Sequence, residues 1–263
     1  MSDLITTQSI GAVVEIVLNR PDKRNALTWP MLLALEAGLD SAEKTPGVRA
    51  VVVRGEGRGF SAGIDLQAFA NLADIFGENW RGNMLSVTGA FQRIVTRLER
   101  SPLPTIALVH GYALGLGLEL ALACDFRLAA AGARLSLPEA RLGLIPDVGG
   151  TTRLTRLVGP ARAKEMILTG KMIEAEQAAQ WGLVNVVVPM DELRAKGEAL
   201  IADLIQCAPL AVTFGKRVID GLADIDSGLQ LEAWAQSQLI QTEDFTTGVQ
   251  AAMMKTTPEW KGK

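Results

Sequence analysis

The spacing of apolar residues predicts alternating strands and helices in the first two thirds of the chain. Runs rich in β-branched residues indicate strands over 4–9, 13–18, 49–54, 105–109, 126–130 and 134–136. The first two form a hairpin around Gly11, and 49–54 and 105–109 are apolar enough to be buried on both faces. Apolar residues three and four apart predict helices over 30–43, 83–99 and 115–124, with Thr28 as a candidate N-cap.

From about residue 160 the same helical spacing dominates. It predicts helices over 160–169, 174–181, 191–206, 208–222, 228–240 and 243–255, interrupted by one strand over 184–188. The predicted fold class is therefore mixed α/β with a helical C-terminal part.

Composition narrows the function classes. The 263 residues are 48% hydrophobic with a net charge of -3, which fits one large domain and gives no sign of nucleic-acid binding. No apolar run approaches a membrane span of roughly 18 to 20 residues, and the first residues lack a secretory pattern, so a cytoplasmic enzyme is expected. The single histidine, His110, excludes a multi-histidine metal site. Cys124 and Cys207 lie in apolar stretches and are expected to be buried and reduced.

A glycine-rich turn over 59–66 follows a buried strand and supports two interpretations. In the first, Ser61 is a nucleophile of the G-x-S-x-G type, which needs His110 as its base and an acid within a short stretch. In the second, the backbone N–H groups of the turn face a cavity and stabilise an anion. The second interpretation is favoured over the first, while an ordinary strand-to-helix turn stays open.

A second glycine-rich turn opens the helix that contains Glu119. The segment lacks the third glycine of a dinucleotide fingerprint, since position 120 is Leu120. Glu119 stands among apolar neighbours, so it must be paired, hydrogen-bonded or raised in pKa. It is either a functional acid or a structural acid bonded to a buried backbone group. His110 is interpreted as a satisfied core or turn histidine.

Two further acids lie within residues 138–153. Glu139 precedes an apolar loop, and it is either a site residue or a surface acid paired with Arg141 or Arg134. Asp147 precedes two glycines and a helix, where the alternative is an N-cap or Asx turn.

Several motifs in this order resemble the crotonase superfamily, also called the enoyl-CoA hydratase/isomerase family. They span nearly the whole chain, as residues 18–28 (LNRPDKRNALT), 60–66 (FSAGIDL), 111–115 (GYALG), 142–150 (LGLIPDVGG), 168–170 (LTG), 178–184 (AAQWGLV) and 258–260 (PEW). The resemblance implies a spiral of ββα units over 1–200 that carries the acyl-CoA site. It also implies a helical trimerisation region over 201–263, within a homotrimer or a hexamer built as a dimer of trimers.

The resemblance also implies an acyl-CoA substrate, with no metal and no separate cofactor. The backbone N–H groups of Ile64 and Leu116 form the implied oxyanion hole, although Leu116 departs from the glycine often found there, and its side chain is expected to narrow the acyl pocket. The implied coenzyme A contacts are Lys23, Arg24, Ala62, Gly63 and Ile64. For the two cations, the alternative is a solvated surface position.

Within the family that the chain resembles, the acidic residues distinguish between the possible reactions. Glu119 and Glu139 match the two glutamates of hydratases, which add water across the Cα=Cβ bond of a 2-enoyl-CoA. Asp147 stands where those hydratases have glycine and where dienoyl-CoA isomerases have aspartate, so isomerisation by Glu139 and Asp147 is the alternative. Other enolate chemistry, including dehalogenation with an aspartate nucleophile, and an acyl-CoA-binding relative with little activity also stay open.

Overall fold

The computed structural model describes residues 4–222, 230, 234–254 and 256–263. Their strands are β1 (Ile5–Ile10), β2 (Val13–Leu18), β3 (Ala50–Gly55), β4 (Thr105–Val109), β5 (Tyr112–Leu114), β6 (Phe126–Ala130), β7 (Arg134–Ser136), β8 (Met172–Glu174) and β9 (Val186–Val188). Their helices are α1 (Trp29–Lys44), α2 (Leu66–Ala70), α3 (Ala73–Phe76), α4 (Met84–Arg100), α5 (Leu116–Leu122), α6 (Gly150–Thr169), α7 (Ala175–Gln180), α8 (Leu193–Ile205), α9 (Pro209–Gly221) and α10 (Glu243–Met254). Short 3₁₀ turns cover Pro21–Lys23, Glu139–Leu142 and Met190–Glu192.

The main sheet has the strand order β1-β2-β3-β4-β6-β9, in which β1 and β2 are antiparallel and the other neighbours are parallel. A smaller sheet has the order β5-β7-β8. Because β2, β3 and β4 run in the same direction, their carboxyl ends lie along one edge of the main sheet. The loops that follow these three strands therefore emerge side by side, and they supply the candidate site.

The central strands β3 and β4 of the main sheet are buried on both faces, as predicted for 49–54 and 105–109. Successive residues of a strand point to opposite faces. In β3, Val51 and Val53 join the large core formed with α1, α4 and α5, whereas Ala50 and Val52 join a smaller cluster that contains Leu193 of α8. These two layers hold the strand ends, and so the loops, in a fixed arrangement.

Most predicted elements are confirmed within one or two residues, including the hairpin of β1 and β2 around Gly11. The predicted helix over 160–169 is confirmed as the second half of α6, whereas the first half, which begins at Gly150, was not predicted. Gly159 has φ 79° and ψ 163° and is followed by Pro160, which bends the helix and breaks the apolar spacing. Part of the predicted helix 228–240 and residue 255 lie outside the described residues, although 234–239 are helical.

Two expectations about single side chains need correction. Cys124 is buried and Cys207 is exposed, so the expected burial of both cysteines is wrong for the second. Cys207 lies in the bend between α8 and α9, where its apolar neighbours do not cover it. Thr28 does occupy the N-cap position of α1, but its hydroxyl makes no capping hydrogen bond within the described part of the chain.

Large apolar side chains are exposed on the C-terminal helices, among them Ile219 and Met253. The division of the chain at residue 200 and its assembly into a trimer or hexamer both stay predictions. Measurement of the molar mass in solution tests the assembly.

Among the described residues, no single helix is long and apolar enough to cross a membrane. The segments Met190–Ile205 and Pro209–Gly221 pass that test only as a pair, with a bend of 105° between them.

Candidate active site

A cavity of about 640 Å³ opens where the segments that follow β2, β3, β5 and β7 meet. Ligands of open α/β sheets commonly bind outside the carboxyl ends of parallel strands. The sequence-predicted residues that line this cavity are Lys23, Arg24, Ala62, Gly63, Ile64, Leu116 and Glu139. The lining residues identified in the described part of the chain do not include Glu119 or Asp147. The loops therefore bring together most, but not all, of the predicted site.

Asn25 ties the first two loops together. Its side chain is fully buried, and its backbone adopts φ +53°, a left-handed conformation that asparagine tolerates. Its Nδ2 donates to the carbonyl oxygens of Glu56 and Gly59 at 2.8 and 2.9 Å, and its Oδ1 accepts from the Arg20 N–H at 2.9 Å. Asn25 lies within the motif 18–28, but it was not among the predicted site residues.

The loop after β3 packs closely against the end of β5 at Gly63. A Cβ atom built on Gly63 would lie 2.7 Å from Leu114 O and 3.5 Å from Leu116 N, so this contact requires glycine. Gly63 has φ +95°. The N–H groups of Ile64 and Leu116, both beside this contact, donate no hydrogen bond to any other described residue. Two free backbone donors thus stand at one wall of the cavity.

Ser61 and His110 do not form a nucleophile–base pair. Ser61 is fully buried, and its hydroxyl donates to Asn25 O at 2.8 Å and accepts from the Gly63 N–H at 3.2 Å. His110 is buried with its Nε2 3.0 Å from Gly57 O, which confirms the interpretation of a satisfied turn histidine. Ser61 therefore shapes the turn that carries Ile64.

Glu139 is the acid that borders the cavity. Its Oε1 would lie only 2.8 Å from a Cβ atom on Gly115, the residue before Leu116. Its Oε2 is buried and has no hydrogen-bond partner among the described residues. Arg141 donates instead to Thr169 O, so the proposed surface pairing with Glu139 is not formed. Burial raises the pKa of Glu139, and the negative charge of Asp147 raises it further.

Glu119 lies deeper, with only 2% of the residue exposed. Its Oε1 accepts hydrogen bonds from the N–H groups of Val148 at 2.9 Å and Gly150 at 2.8 Å. Burial raises the pKa of Glu119 to about 8, and the charges of Glu139 and Asp147 act in the same direction, against the two backbone donors. Glu119 is thus bonded to buried backbone groups, as the structural alternative requires, while it also interacts with both other acids.

Asp147 is held from the side by α4 rather than by its own turn. Its Oδ2 accepts from the hydroxyl of Thr88 at 2.6 Å, and its carbonyl oxygen accepts from Gln92 Nε2 at 2.6 Å. No N-cap or Asx contact involving Asp147 is found among the described residues. The three acids therefore form one electrostatically interacting group, of which Glu139 alone is identified among the cavity lining.

Comparison with known proteins decides the family. Residues 8–263 match the model of the family described as enoyl-CoA hydratase/isomerase. The chain belongs to the enoyl-CoA hydratase/isomerase family. Its members are enzymes that act on acyl-CoA thioesters, and both hydratases and isomerases are among them.

Relatives of this family member extend over its full length. The 2,3-dehydroadipyl-CoA hydratase of Escherichia coli is 36% identical over 265 residues and covers 100% of both chains. The carnitinyl-CoA dehydratase of Salmonella typhi is also 36% identical, over 273 residues and 100% of both chains. The crystal structure of an enoyl-CoA hydratase from Bacillus anthracis superposes with a TM-score of 0.91 at 37% identity, covering 98% of this chain and 99% of that one. This family member therefore has the crotonase fold.

The cavity rim of this family member carries the two predicted cations. Lys23 and Arg24 are both exposed at the rim, and neither pairs with a carboxylate among the described residues. Arg24 has φ 56° and its carbonyl oxygen accepts from the Ala62 N–H at 3.0 Å. That contact fixes the backbone of the rim beside the turn that leads to Ile64.

Asp65 and Arg20 secure the other side of that turn. Asp65 caps α2 by accepting from the N–H groups of Gln67 and Ala68, and Arg20 Nη1 donates to its Oδ2 at 2.5 Å. The hydrogen bond from Arg20 is the main reason that the pKa of Asp65 lies below its usual value. Neither Arg20 nor Asp65 was among the predicted site residues, although an acid directly before a helix is a recognisable N-cap signal.

We expect the stability of this family member to depend on the ionisation of Glu119. Its pKa is raised in the folded state, from 4.5 to about 8, so its favourable contribution is complete below pH 4.5 and is lost as the pH rises towards 8. The free energy of unfolding should therefore fall across this window by an amount on the order of a few kcal/mol. This fall should be absent in Glu119→Gln. Urea unfolding at pH 5 and pH 8 measures this slope.

The matched control for that slope is Glu198→Gln, which changes an exposed carboxylate on α8 in the same way. It should keep the slope of the unmodified protein. An equal slope for Glu119→Gln and the unmodified protein would contradict the expected ionisation.

Proposed function

We propose that this protein adds water across the Cα=Cβ bond of a 2-enoyl-CoA thioester. One observation carries the proposal: the unpartnered, buried Oε2 of Glu139 belongs to a carboxyl group beside Gly115, next to the free N–H of Leu116. An acid with a raised pKa and a backbone donor are thus available to the same small volume. Addition of water beside a thioester needs both, because a proton reaches Cα and negative charge develops on the thioester oxygen.

In this proposal the N–H groups of Ile64 and Leu116 receive the thioester oxygen. As water attacks Cβ, the electrons of the double bond move towards the carbonyl, and the oxygen becomes an enolate. Preorganised donors at such a position are worth about 3 to 4 kcal/mol each in the transition state. Neither donor has to leave another acceptor first, since both are free among the described residues.

The two glutamates divide the proton transfers. Glu119 accepts a proton from the attacking water, whose hydroxyl group bonds to Cβ, and Glu139 donates a proton to Cα. The net reaction consumes one water and leaves the pair with one proton, as before. The charge of Glu139 raises the pKa of Glu119, so the two carboxyl groups hold their proton as a coupled pair, and the reaction starts from the state in which that proton lies on Glu139.

The coenzyme A moiety is proposed to lie across the rim. Lys23 and Arg24 are cations without carboxylate partners in the described residues, and they suit the phosphates of coenzyme A. Ala62, Gly63 and Ile64 would contact the nucleotide and the start of the thioester arm through their backbone. A relative that acts on 2,3-dehydroadipyl-CoA supports an acyl-CoA of this type.

Double-bond isomerisation by Glu139 and Asp147 is the second candidate. Its support is that the charge of Asp147 raises the pKa of Glu139, so the two carboxylates are close enough to interact. Against it, Asp147 is not identified among the residues lining the cavity, and its carboxylate already accepts a hydrogen bond from Thr88. Hydration is therefore the better supported reaction.

Incubation with crotonyl-CoA tests the proposal. We expect loss of the absorbance of the conjugated enoyl thioester, with the 3-hydroxyacyl-CoA as the product. No hydration of crotonyl-CoA or of longer 2-enoyl-CoA thioesters, together with a spectral change of a dienoyl-CoA, would establish isomerisation instead. Binding of both thioesters without any reaction would identify an acyl-CoA-binding protein with little activity.

A further inference from the structure

One face of α4 carries a stripe of polar side chains at helical spacing. Thr88, Gln92, Thr96 and Glu99 are separated by four, four and three residues, so they lie on the same side of the helix. All four contact the segment from Asp147 to Arg153. The two nearer the start of α4 bond to Asp147, as described above.

The other two residues of the stripe bind Arg153 of α6. Arg153 Nη2 donates to Thr96 Oγ1 at 2.9 Å, and its Nε donates to Glu99 Oε2 at 3.0 Å. Arg153 Nη1 also donates to Val148 O at 3.1 Å. The stripe therefore holds both ends of the segment whose Val148 and Gly150 N–H groups bind Glu119.

Among the described residues of the stripe, only Thr88 donates to the carboxylate of a site acid, because Gln92 donates to the backbone carbonyl oxygen of Asp147. A hydroxyl that donates to a carboxylate stabilises its ionised form and fixes its orientation. Thr88 itself is half-buried on the helix surface and does not appear in the cavity lining found for the described residues. Its effect on chemistry therefore passes through Asp147.

The charged groups that face Asp147 come from three elements. Glu119 of α5 and Glu139 of the 3₁₀ turn are the acids that interact with it. Arg153 of α6 is the nearby cation, but its guanidinium is already paired with Glu99. The hydroxyl of Thr88 is thus the direct side-chain donor to the Asp147 carboxylate among these neighbours.

We infer that Thr88 is a positioning residue that keeps Asp147 ionised and oriented. The negative charge of Asp147 then favours retention of the catalytic proton by Glu119 and Glu139, and Asp147 does not take up that proton itself. This inference rests on the proposed hydration. It gives Asp147 an electrostatic role in the reaction. The presence of an aspartate at this position then no longer requires isomerase chemistry.

Thr88→Val tests the inference, with Thr88→Ser as the matched variant that keeps the hydroxyl. Valine has nearly the shape of threonine and occupies a half-buried helix surface, so folding should be kept. We expect Thr88→Val to lower kcat several-fold with KM unchanged, because the proton is then shared with Asp147. Thr88→Ser should restore kcat. Equal kcat for Thr88→Val and the unmodified protein would overturn the inference.

A carboxyl spectrum gives a readout that does not depend on activity. In protein labelled with ¹³C at aspartate carboxyl groups, the Asp147 signal is assigned by its loss in Asp147→Asn. Loss of the hydrogen bond from Thr88 should shift this signal in Thr88→Val at a fixed pH. Thr88→Ser should keep the chemical shift of the unmodified protein, and an unmoved signal in Thr88→Val would contradict the inference.

A double-variant comparison tests whether Thr88 affects the reaction through Asp147. Asp147→Asn removes the negative charge, so the acid and alkaline limbs of the kcat–pH profile should both move to lower pH. Adding Thr88→Val to Asp147→Asn should then leave kcat unchanged, whereas a further loss would place the action of Thr88 elsewhere. An unmodified protein without crotonyl-CoA hydration would refute the proposed function, while the carboxyl signal of Asp147 would still decide the role of Thr88.

Discussion

Glu139→Gln should lower kcat for 2-enoyl-CoA hydration by about 10²- to 10⁴-fold, the range expected for loss of a positioned general acid. Glutamine has nearly the same shape but cannot supply the proton for Cα. The buried Oε2 has no hydrogen-bond partner among the described residues, so the substitution breaks no contact there. Steady-state kinetics with crotonyl-CoA measure the loss.

Affinity for the thioester should be nearly unchanged in Glu139→Gln, because the donors and the rim cations are untouched. Calorimetric titration with butyryl-CoA, which has no double bond to hydrate, measures this affinity. Glu192→Gln, at an exposed position on the 3₁₀ turn Met190–Glu192, is the matched control and should keep full kcat. Retained activity in Glu139→Gln would rule out proton transfer by this residue.

Stability should respond in the opposite direction to activity. Burial raises the pKa of Glu139, so its ionisation costs the folded state free energy as the pH rises above the ordinary range of a carboxyl group. An uncharged glutamine does not incur that cost. An active-site acid that is retained at a cost in stability is consistent with selection for chemistry at this position.

The sequence predicted the sheet and its loops well because their signals are local. The apolar runs of β3 and β4 indicate that these strands are buried. The glycines at 63 and 115 indicate a backbone conformation or a close contact that a side chain would prevent. Gly63 lies where the backbone of a distant turn approaches, and Gly115 lies against Glu139. A glycine after a buried strand indicates that another group lies close to its backbone, but it does not identify that group.

Residues that act through a distant partner left little trace in the sequence. Thr88 is one polar residue on an amphipathic helix, and nothing in its neighbours indicates a contact 59 residues further along the chain. Asn25 has the same limitation, since its partners lie in the following loop. For Glu119, burial was visible in the sequence, but the two backbone donors were not, because they come from a loop about 30 residues away.

The three-residue strands β5 and β8 were missed for a related reason. Within 112–114 and 172–174 the alternation is too short to distinguish a strand from a loop, although the equally short β7 was predicted. Yet β5 determines where the second free donor lies, since Leu114 N–H bonds to Ser61 O at 3.0 Å and Gly115 N–H bonds to Ser136 O at 2.9 Å. The geometry of the donors therefore depends on pairing between segments that are far apart in sequence.

Gly63→Ala should disable the two donors without changing any acid. The added Cβ would lie 2.7 Å from Leu114 O, a contact that the backbone can relieve only by separating the two turns. The N–H groups of Ile64 and Leu116 would then no longer face the same point. We expect kcat for crotonyl-CoA to fall by about 10²- to 10³-fold, as for loss of an oxyanion donor.

Backbone strain alone has to be separated from this loss of alignment, because Gly63 has φ +95° and any other residue is strained there. Gly132→Ala provides the comparison, since Gly132 has φ +71° and a Cβ built on it meets nothing within 4 Å. Both variants should lower the free energy of unfolding by roughly 1 to 3 kcal/mol, but only Gly63→Ala should lose kcat. Urea unfolding and steady-state kinetics on the same preparations measure the two effects. If Gly63→Ala kept the kcat of Gly132→Ala, convergence of the two amides would not be the source of the activity.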